Sequence, residues 1–378
     1  MSSDSKGART ALVLSGGGAR GAYQAGVMQG LRDLGVLDSP TVRIDTFVGS
    51  SAGAINSTML AAHADSPSRG IDALVDLWSG IQANQIFRTD VRSIGSTGVR
   101  WAWDLTFGGA VGGVASKSLL DTSPLREFLT ENLPFEQLGS QLEAGALHAL
   151  ALSATDLTTA DGVLFLQGQP DVQPWERRRW RIEPTRIGPE HVLASSAIPM
   201  LFPSVEIDGR HFGDGSVRNT SPLSPAINLG AEKVIAVSVR EPAQTTPRKR
   251  RHEAPSIAQI AGVLLDAVML DAIEVDIDHS ERVNRSVTTY HRGTSPSSFR
   301  KVDVLWIQPS ANFTAVAEEF SRRIPAVVRY VMRGLGSEDA THELSSYLLF
   351  DSEFCGRLIE IGRGDVEAAR GDIEAFFA

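Results

Sequence analysis

Two strand candidates near the start of the chain, the first of them apolar, each lead into a glycine-rich turn and then into a helical pattern. The first is "TALVLS" at 10–15, followed by "GGGARG" at 16–21, and the second is "VRIDTFVG" at 42–49. Strands that are apolar throughout are buried on both faces, and strand–helix alternation is typical of a parallel sheet covered by helices. The pattern therefore predicts an α/β fold. Later apolar segments predict four more strands, at 147–155, 162–168, 233–239 and 302–309.

The composition excludes some classes of function. The 36 Lys and Arg residues against 45 Asp and Glu residues give a net charge of −9, which argues against a general nucleic-acid binder. The single cysteine, Cys355, excludes an internal disulfide framework and a cysteine-based metal cluster. The chain shows no stretch of about 18 apolar residues and no early run long enough for a signal peptide. We therefore expect a cytoplasmic protein, with peripheral membrane contact left open.

The second glycine turn, "GSSAG", places Ser51 between Gly49 and Gly53. A serine hydroxyl is a poor nucleophile until it is exposed, positioned and paired with a base. In a G-x-S-x-G elbow the strand turns so tightly into the helix that flanking side chains would clash, and the serine stands above the strand end. The helix N-terminus beside it favours developing negative charge. The alternative interpretation is a glycine-lined turn with an incidental serine.

The first glycine turn resembles a nucleotide-binding motif. Gly16, Gly18 and Gly21 satisfy G-x-G-x-x-G after a strand and before a helix, which is the dinucleotide fingerprint. That fingerprint requires an acidic residue at the end of the second strand, where this chain has the serine turn. Asp38 and Asp45 are nearby, but neither ends the strand. The nucleotide interpretation is therefore weak.

The competing interpretation of the same turn is an oxyanion hole. The consecutive glycines Gly16, Gly17 and Gly18 expose backbone N–H groups at a helix start, where they can point at an oxyanion. Arg20 can add positive charge to such a site or hold the loop. A bare glycine turn is the third alternative.

An acyl-transfer serine also needs a proton acceptor. His291 is the best histidine for a Ser-His-Asp triad in the chain order of an α/β-hydrolase. Asp214 is the better candidate, because Gly213 and Gly215 let the backbone turn and bring the carboxylate close to another turn. Shielding from water would raise its proton affinity, as a base requires. The alternative is an ordinary Asp-Gly hairpin turn.

Four segments of the chain occur in an order that resembles one family. Together they look like the successive blocks of the bacterial patatin-like phospholipases, and the resemblance covers roughly residues 8–310. Shorter segments at 119–129 and 154–165 also look like that family. The four segments are "LVLSGGGARGAYQAGVMQGL", "FVGSSAGAINSTMLA", "ASSAIPMLFPSV" and "HFGDGSVRNTSPLSPAINLGAEKVIAVS".

The resemblance implies a Ser–Asp dyad without histidine, in which Ser51 is the nucleophile and Asp214 the base. Ser216 stands where the family has glycine or alanine, and its small size should preserve the turn. The residues that match the family's oxyanion turn are Gly16, Gly17, Gly18 and Arg20. The glycines at the motif turns are Gly21, Gly49, Gly53 and Gly215.

The fold implied by the resemblance is a three-layer α/β/α sandwich with a mostly parallel central sheet. It implies an acyl hydrolase domain over 8–310, and the remaining residues, 311–378, would form a helical C-terminal extension packed on it. The implied activity is hydrolysis of fatty-acyl esters of phospholipids or related lipids through an acyl-enzyme, without a metal or other cofactor. Two other functions stay open: a catalytically silent lipid-binding or regulatory module on the same fold, and a nucleotide-binding α/β protein.

Three further segments bear on partners. The segment 96–116 carries two tryptophans and a phenylalanine among glycines, and it is either a lid or acyl groove or a loop packed on the core. The apolar segment 257–273 predicts a core or dimer helix rather than the alternative, a membrane anchor, so a homodimer stays open. "RKRR" at 248–251 indicates a solvated loop or a contact with anionic lipid. The expected partner is a lipid ester substrate, with no nucleic acid.

Overall fold

The computed structural model describes residues 9–38, 42–89, 118–240, 272–290, 300–329 and 344–378. Some features singled out in the sequence lie outside this part of the chain. They are the segments 96–116 and 248–251, nearly all of 257–273, and His291.

The described residues form one mixed sheet of nine strands. The strands are β1 (Thr10–Leu14), β2 (Ile44–Gly49), β3 (Ala149–Asp156), β4 (Asp161–Gly168), β5 (Trp180–Pro184), β6 (Val205–Ile207), β7 (Arg210–Asp214), β8 (Lys233–Val237) and β9 (Asp303–Ile307). Their order is β5-β4-β3-β2-β1-β8-β9, and β7 pairs with β3 and β6. All six strands predicted from the sequence are present. The sequence does not predict β5, β6 and β7, which are only three to five residues long.

Helices cover both faces of this sheet, so the predicted fold class, a mostly parallel sheet between helical layers, is confirmed. Leu12 and Leu14 of β1 belong to the core on one face, whereas Ala11 and Val13 belong to the core on the other. Two-sided burial explains why this strand is apolar throughout. The helices are α1 (Ala22–Asp33), α2 (Ala52–Ala61), α3 (Pro67–Ser79), α4 (Ala83–Ile86), α5 (Ser123–Asn132), α6 (Phe135–Glu143), α7 (Pro189–Ser195), α8 (Ser224–Asn228), α9 (Ala272–Tyr290), α10 (Phe313–Glu319), α11 (Ser352–Ala368) and α12 (Arg370–Phe377).

Helix α11, from the end of the chain, lies directly against α1. A Cβ at Gly26 would stand 2.0 Å from the Ile359 carbonyl oxygen, and one at Gly362 would stand 2.4 Å from the Tyr23 carbonyl oxygen. Only glycine allows the two backbones to approach this closely. The predicted division at residue 310 stays a prediction. No helix in the described part of the chain has both the length and the low charge that crossing a bilayer requires.

The ends of β2 and β7 meet head-on beside β3. Strand β3 runs parallel to β2 as far as the pair Leu152–Gly49, and antiparallel to β7 from the pair Ala154–Asp214 onward. Its other edge is occupied by β4 throughout. Strand β7 therefore continues along the edge of β3 that β2 vacates. This arrangement brings Asp214, the last residue of β7, level with the residues that follow β2.

Candidate active site

Ser51 lies at the junction of β2 and α2 in a backbone conformation that is rare for a residue with a side chain. Its φ is 54° and its ψ is −124°. Strained conformations of this kind cluster at functional sites. A Cβ at Gly49 would stand 2.3 Å from the carbonyl oxygen of Gly53. This contact gives a physical reason for the glycines around Ser51.

Two serines from another segment hold the strained backbone of Ser51. The Ser51 N–H donates to Ser195 Oγ at 3.0 Å, and Ser196 Oγ donates to the Ser51 carbonyl oxygen at 3.2 Å. Both serines are buried at the end of α7. Because both backbone groups of Ser51 are bonded, the strained conformation costs less to maintain than it would in an unsupported turn.

Gly53→Ala is expected to destabilise the fold and distort the elbow. A Cβ at this position would stand 2.2 Å from the Leu14 carbonyl oxygen at the end of β1. Overpacking of this kind costs about 1–3 kcal/mol, so urea unfolding should give a lower free energy of unfolding than for wild type. The matched control is Gly139→Ala in α6, where no other described segment lies within 4 Å of the added Cβ. That variant should gain stability from the helix preference of alanine. Unchanged stability of Gly53→Ala would contradict the close contact.

Asp214 is fully buried at the end of β7. Its N–H donates to the Ala197 carbonyl oxygen at 2.8 Å, and its own carbonyl oxygen accepts from Thr155 Oγ1 at 2.8 Å. At the next position, Gly215, a Cβ would stand 2.1 Å from the Ser153 carbonyl oxygen of β3. These contacts fix the backbone that carries the carboxyl group.

The two oxygens of the Asp214 carboxyl have different surroundings. Oδ1 accepts from the Ser216 N–H at 2.8 Å. Among the described residues, no group makes a hydrogen bond of normal geometry to Oδ2. Burial raises the pKa of Asp214 to about 6, and the nearby hydroxyl of Ser51 and the donors of Ser216 oppose that rise. The structure thus brings Ser51 and Asp214 together, with a carboxyl group of raised proton affinity beside the serine hydroxyl.

The glycine turn after β1 lies beside this elbow, because β1 and β2 are parallel neighbours. Gly16 and Gly17 are buried, and Gly18, with a φ of 56°, begins a short 3-10 helix that leads into α1. The first N–H groups of a helix have no partner within the helix, so they are suited to bind negative charge. Gly18 and Ser51 line the same cavity.

The Arg20 side chain is buried against residues that follow β9. Its Nε and Nη2 donate to Ser346 Oγ at 2.9 and 2.7 Å, and its guanidinium carbon lies 4.1 Å from the centre of the Tyr347 ring. A Cβ at Gly18 would stand 2.3 Å from the Tyr347 carbonyl oxygen. Of the two roles predicted for Arg20, these contacts serve the second, which is to hold the loop.

A small apolar cavity of about 20 Å³, which is room for about one water molecule, adjoins Ser51. Its wall includes Phe350, which stacks on Trp78 with ring centres 6.5 Å apart and meets Phe87 edge-on. Gly18, Ser51 and Ser196 complete the lining, so polar groups are few. The apolar lining residues are Ala52, Ile55, Leu77, Trp78, Ile81, Ile86, Leu125, Phe128, Ile198, Phe202 and Phe350.

Among the described residues, no carboxylate lies at the end of β2, where a dinucleotide site would need one. Asp45 is the second residue of β2, at the opposite end from Ser51, and lies 4.0 Å from the Arg9 guanidinium. Asp38 ends a short helix that precedes the strand. The G-x-G-x-x-G turn therefore lacks the acidic partner of the nucleotide fingerprint.

Each buried or half-buried histidine that the structure describes has a partner other than Ser51. The pairs are His63 with Met59, His148 with Arg9, His191 with Gly188, and His211 with Ser204. In the same ranges, no three His, Cys, Asp or Glu side chains are grouped as metal ligands would be. The expected absence of a metal and of a catalytic histidine stays a prediction.

Sequence reasoning assigned no hydrogen-bonding role to the serines that surround the elbow. Ser195 and Ser196 bind the Ser51 backbone, and Ser50 and Ser216 lie 3.1 Å apart between the two turns (Oγ to Oγ). Small hydroxyl residues carry little chemical signature before the fold is known. The available signal is that two serine doublets, at 50–51 and 195–196, occur within otherwise apolar or glycine-rich blocks.

Comparison with known proteins gives one family. The model of the family described as patatin-like phospholipase matches residues 12–227, which include Ser51 and Asp214. Uncharacterized NTE family proteins of Mycobacterium bovis and of two Mycobacterium tuberculosis strains are each 27% identical over 231 residues. These matches cover 61% of this chain and 49% of each relative, so the chain spans about half the length of the curated relatives it matches.

Two solved structures are similar to this chain at low identity. VipD from Legionella pneumophila is 12% identical with a TM-score of 0.35, and the match covers 93% of this chain and 67% of that chain. The complex of full-length SpcU with full-length ExoU from the type III secretion system of Pseudomonas aeruginosa gives 14% identity and a TM-score of 0.27, covering 87% and 60%. At these scores neither structure carries an argument about this chain.

Proposed function

The chain belongs to the patatin-like phospholipase family, and on this basis we propose that it hydrolyses fatty-acyl esters of lipids through Ser51 and Asp214. The observation that carries the proposal is the meeting of three features at one edge of the sheet. Ser51 lies in a strained elbow after β2. The carboxyl group of Asp214, which is buried and has a raised pKa, lies beside it at the end of β7. Ser51 also lines an apolar cavity.

In the first half-reaction, Ser51 Oγ attacks the ester carbonyl carbon while Asp214 Oδ2 takes the hydroxyl proton. A carboxyl group with a pKa of about 6 is mostly ionised near neutral pH, yet it holds a proton more strongly than an exposed aspartate does. Collapse of the tetrahedral intermediate breaks the bond to the alcohol oxygen. That oxygen takes the proton from Asp214 and leaves, and Ser51 is acylated.

In the second half-reaction, water gives a proton to Asp214 and attacks the acyl carbon, and the proton returns to Ser51 Oγ as the fatty acid leaves. Negative charge develops on the carbonyl oxygen in both steps. The N–H groups of Gly16, Gly17 and Gly18 are the proposed donors to this oxygen, because they precede or begin a helix beside Ser51. Removing one such donor from a hydrolase costs about 10²–10³-fold in rate.

The cavity supports a fatty-acyl chain as the part of the substrate that the protein binds. Apart from Ser51 and Ser196, the side chains that line it are hydrophobic. Transfer of each CH₂ group from water into such surroundings contributes about 0.8 kcal/mol. A hydrocarbon chain that moves these side chains apart and enters there would leave its carboxyl ester beside Ser51, where the proposed chemistry occurs.

Labelling with a fluorophosphonate ester, followed by mapping of the modified residue, tests this proposal. The purified protein is expected to form a covalent adduct at Ser51 and to hydrolyse p-nitrophenyl esters of fatty acids, with and without detergent micelles. Folded protein that neither reacts with the probe nor cleaves the esters would contradict the proposal and would favour a silent lipid-binding module.

Phe350→Leu is expected to shift the preference of the enzyme toward longer acyl chains. The aromatic ring forms one wall of the cavity against Trp78, and the smaller side chain leaves more room there. Pocket contacts worth 1–2 kcal/mol change selectivity by about 10-fold, so the ratio of kcat/KM for dodecanoyl over butanoyl esters should rise by about that factor.

The control for this change is Phe377→Leu, which alters an aromatic residue on α12 outside the cavity lining. Its chain-length profile should match that of wild type. An unchanged profile in Phe350→Leu would show that the acyl chain does not reach this wall.

A further inference from the structure

Two further hydroxyls connect the elbow to the turn that carries Asp214. Ser50, the residue before the proposed nucleophile, has its Oγ 3.1 Å from Ser216 Oγ. Ser216 follows Asp214 by two residues, and its N–H donates to Asp214 Oδ1 at 2.8 Å. Ser50 is 5% exposed and Ser216 is 8% exposed, so water competes little for these bonds.

The pair fixes the residue that donates to the carboxyl group. The Ser216 N–H bonds Asp214 Oδ1, and the bond between the two hydroxyls ties Ser216 to the elbow at Ser50. An ionised carboxylate only accepts hydrogen bonds, so donors beside it favour the ionised form. The backbone and the hydroxyl of Ser216 both lower the pKa of Asp214.

We propose that the Ser50–Ser216 pair positions the Asp214 carboxylate with Oδ2 left for the Ser51 proton, and thereby sets the lowest pH at which Asp214 acts as a base. The inference rests on the proposed function of Asp214. Both serines are positioning residues, because they act on Asp214 and not on the substrate. A glycine or alanine at position 216 would lack the hydroxyl that bonds to Ser50.

Charged neighbours do not account for the shifted pKa of Asp214. Burial, the Ser51 hydroxyl and the donors of Ser216 are the causes of its shifted pKa, with no charged side chain among them. Helix α2 has no titratable residue. The other titratable or charged groups on β3, α7, the β6–β7 hairpin and the turn after β7 are Asp156, Glu190, His191, Glu206, Asp208, Arg210, His211 and Arg218.

The pH dependence of fluorophosphonate labelling and of ester hydrolysis tests the pair. Loss of a donor to the ionised carboxylate raises its pKa, so the acidic limb of Ser216→Ala is expected at a pH higher by about one unit. Ser50→Ala acts through Ser216 and should give a smaller shift in the same direction. The double variant should match Ser216→Ala. Ser216→Thr restores the hydroxyl and should return the limb toward the wild-type pH.

The matched control is Ser57→Ala, which removes a buried hydroxyl that has no hydrogen-bond partner among the described residues. Its profile should equal that of wild type. A Ser216→Ala profile that superimposes on wild type, or that is lower at every pH without a shift, would overturn the positioning role.

Titration of the Asp214 carboxyl carbon by carbon-13 NMR separates this inference from the proposed function. The shift to higher pH in Ser216→Ala should appear there even if the wild-type protein cleaved no ester. An unchanged titration of Asp214 would refute the role of the pair, whatever the activity.

Discussion

Asp214→Asn is expected to abolish ester hydrolysis while making the folded protein more stable above about pH 6. Asparagine has nearly the size of aspartate and can keep the bond from the Ser216 N–H, but it cannot accept the Ser51 proton. Loss of a general base lowers the rate by about 10²–10⁴-fold, which kcat/KM on a p-nitrophenyl ester would report. His291→Ala should retain activity. The opposite pattern would refute the Ser51–Asp214 dyad and favour a triad.

The gain in stability follows from the buried charge. Burial raises the pKa of Asp214 from 3.8 to about 6 in the folded protein. Between these values the folded state binds a proton that the unfolded chain releases, so the free energy of unfolding falls as the pH rises through this window. The penalty reaches about 3 kcal/mol near pH 8 and is nearly absent near pH 4. It is the cost of holding an ionised base out of water.

Urea unfolding of wild type and Asp214→Asn at these two pH values measures the effect. Since asparagine does not ionise, the variant should be the more stable protein near pH 8, and the difference should nearly vanish near pH 4. The same difference at both pH values would mean that the carboxylate carries no burial penalty.

Ser51→Ala is expected to lose fluorophosphonate labelling and to lower kcat/KM by about 10⁴-fold or more. The variant removes the only atom that can form the proposed acyl-enzyme. Its fold should persist, because the bonds that hold this position use the backbone N–H and carbonyl groups, which alanine retains. The thermal unfolding midpoint should therefore stay close to that of wild type.

Ser57→Ala on the same helix serves as the control for labelling as well, since it removes a buried hydroxyl six residues further along α2. It should label like wild type. An adduct that persists in Ser51→Ala at the wild-type rate would identify another nucleophile and would contradict the assignment of Ser51.

Local sequence patterns predict the two glycine turns of the site, because each turn is formed by consecutive residues. The strand candidates at 10–15 and 42–49 become β1 and β2, and the glycine turns after them lie side by side because parallel neighbours end at the same edge. The placement of Asp214 beside this edge depends on β7, whose pairing with β3 begins where β2 ends. The switch of β3 from pairing with β2 to pairing with β7 leaves no local pattern in the sequence. The family resemblance was therefore the main reason to assign Asp214 as the base.

The remaining parts of the site join distant segments. Ser195 and Ser196 reach Ser51 from 144 and 145 residues away, and Arg20 contacts Ser346. Contacts between single side chains at such separations depend on the packing of the whole domain. The periodicity of "ELSSYLLF" at 343–350 indicates a helix, but nothing in it shows that Phe350 lines a cavity beside Ser51.

The bond between Arg20 and Ser346 also affects when the site can be completed during protein synthesis. These residues are 326 positions apart, so the glycine turn is made long before the segment that holds it. At about 5–20 residues per second, roughly 15–65 s pass on the ribosome between the two. Throughout that time the growing chain carries the serine elbow without the support of Ser346 and Tyr347. A nascent chain should therefore react poorly with a serine-directed probe until the segment that carries Ser346 and Tyr347 has emerged.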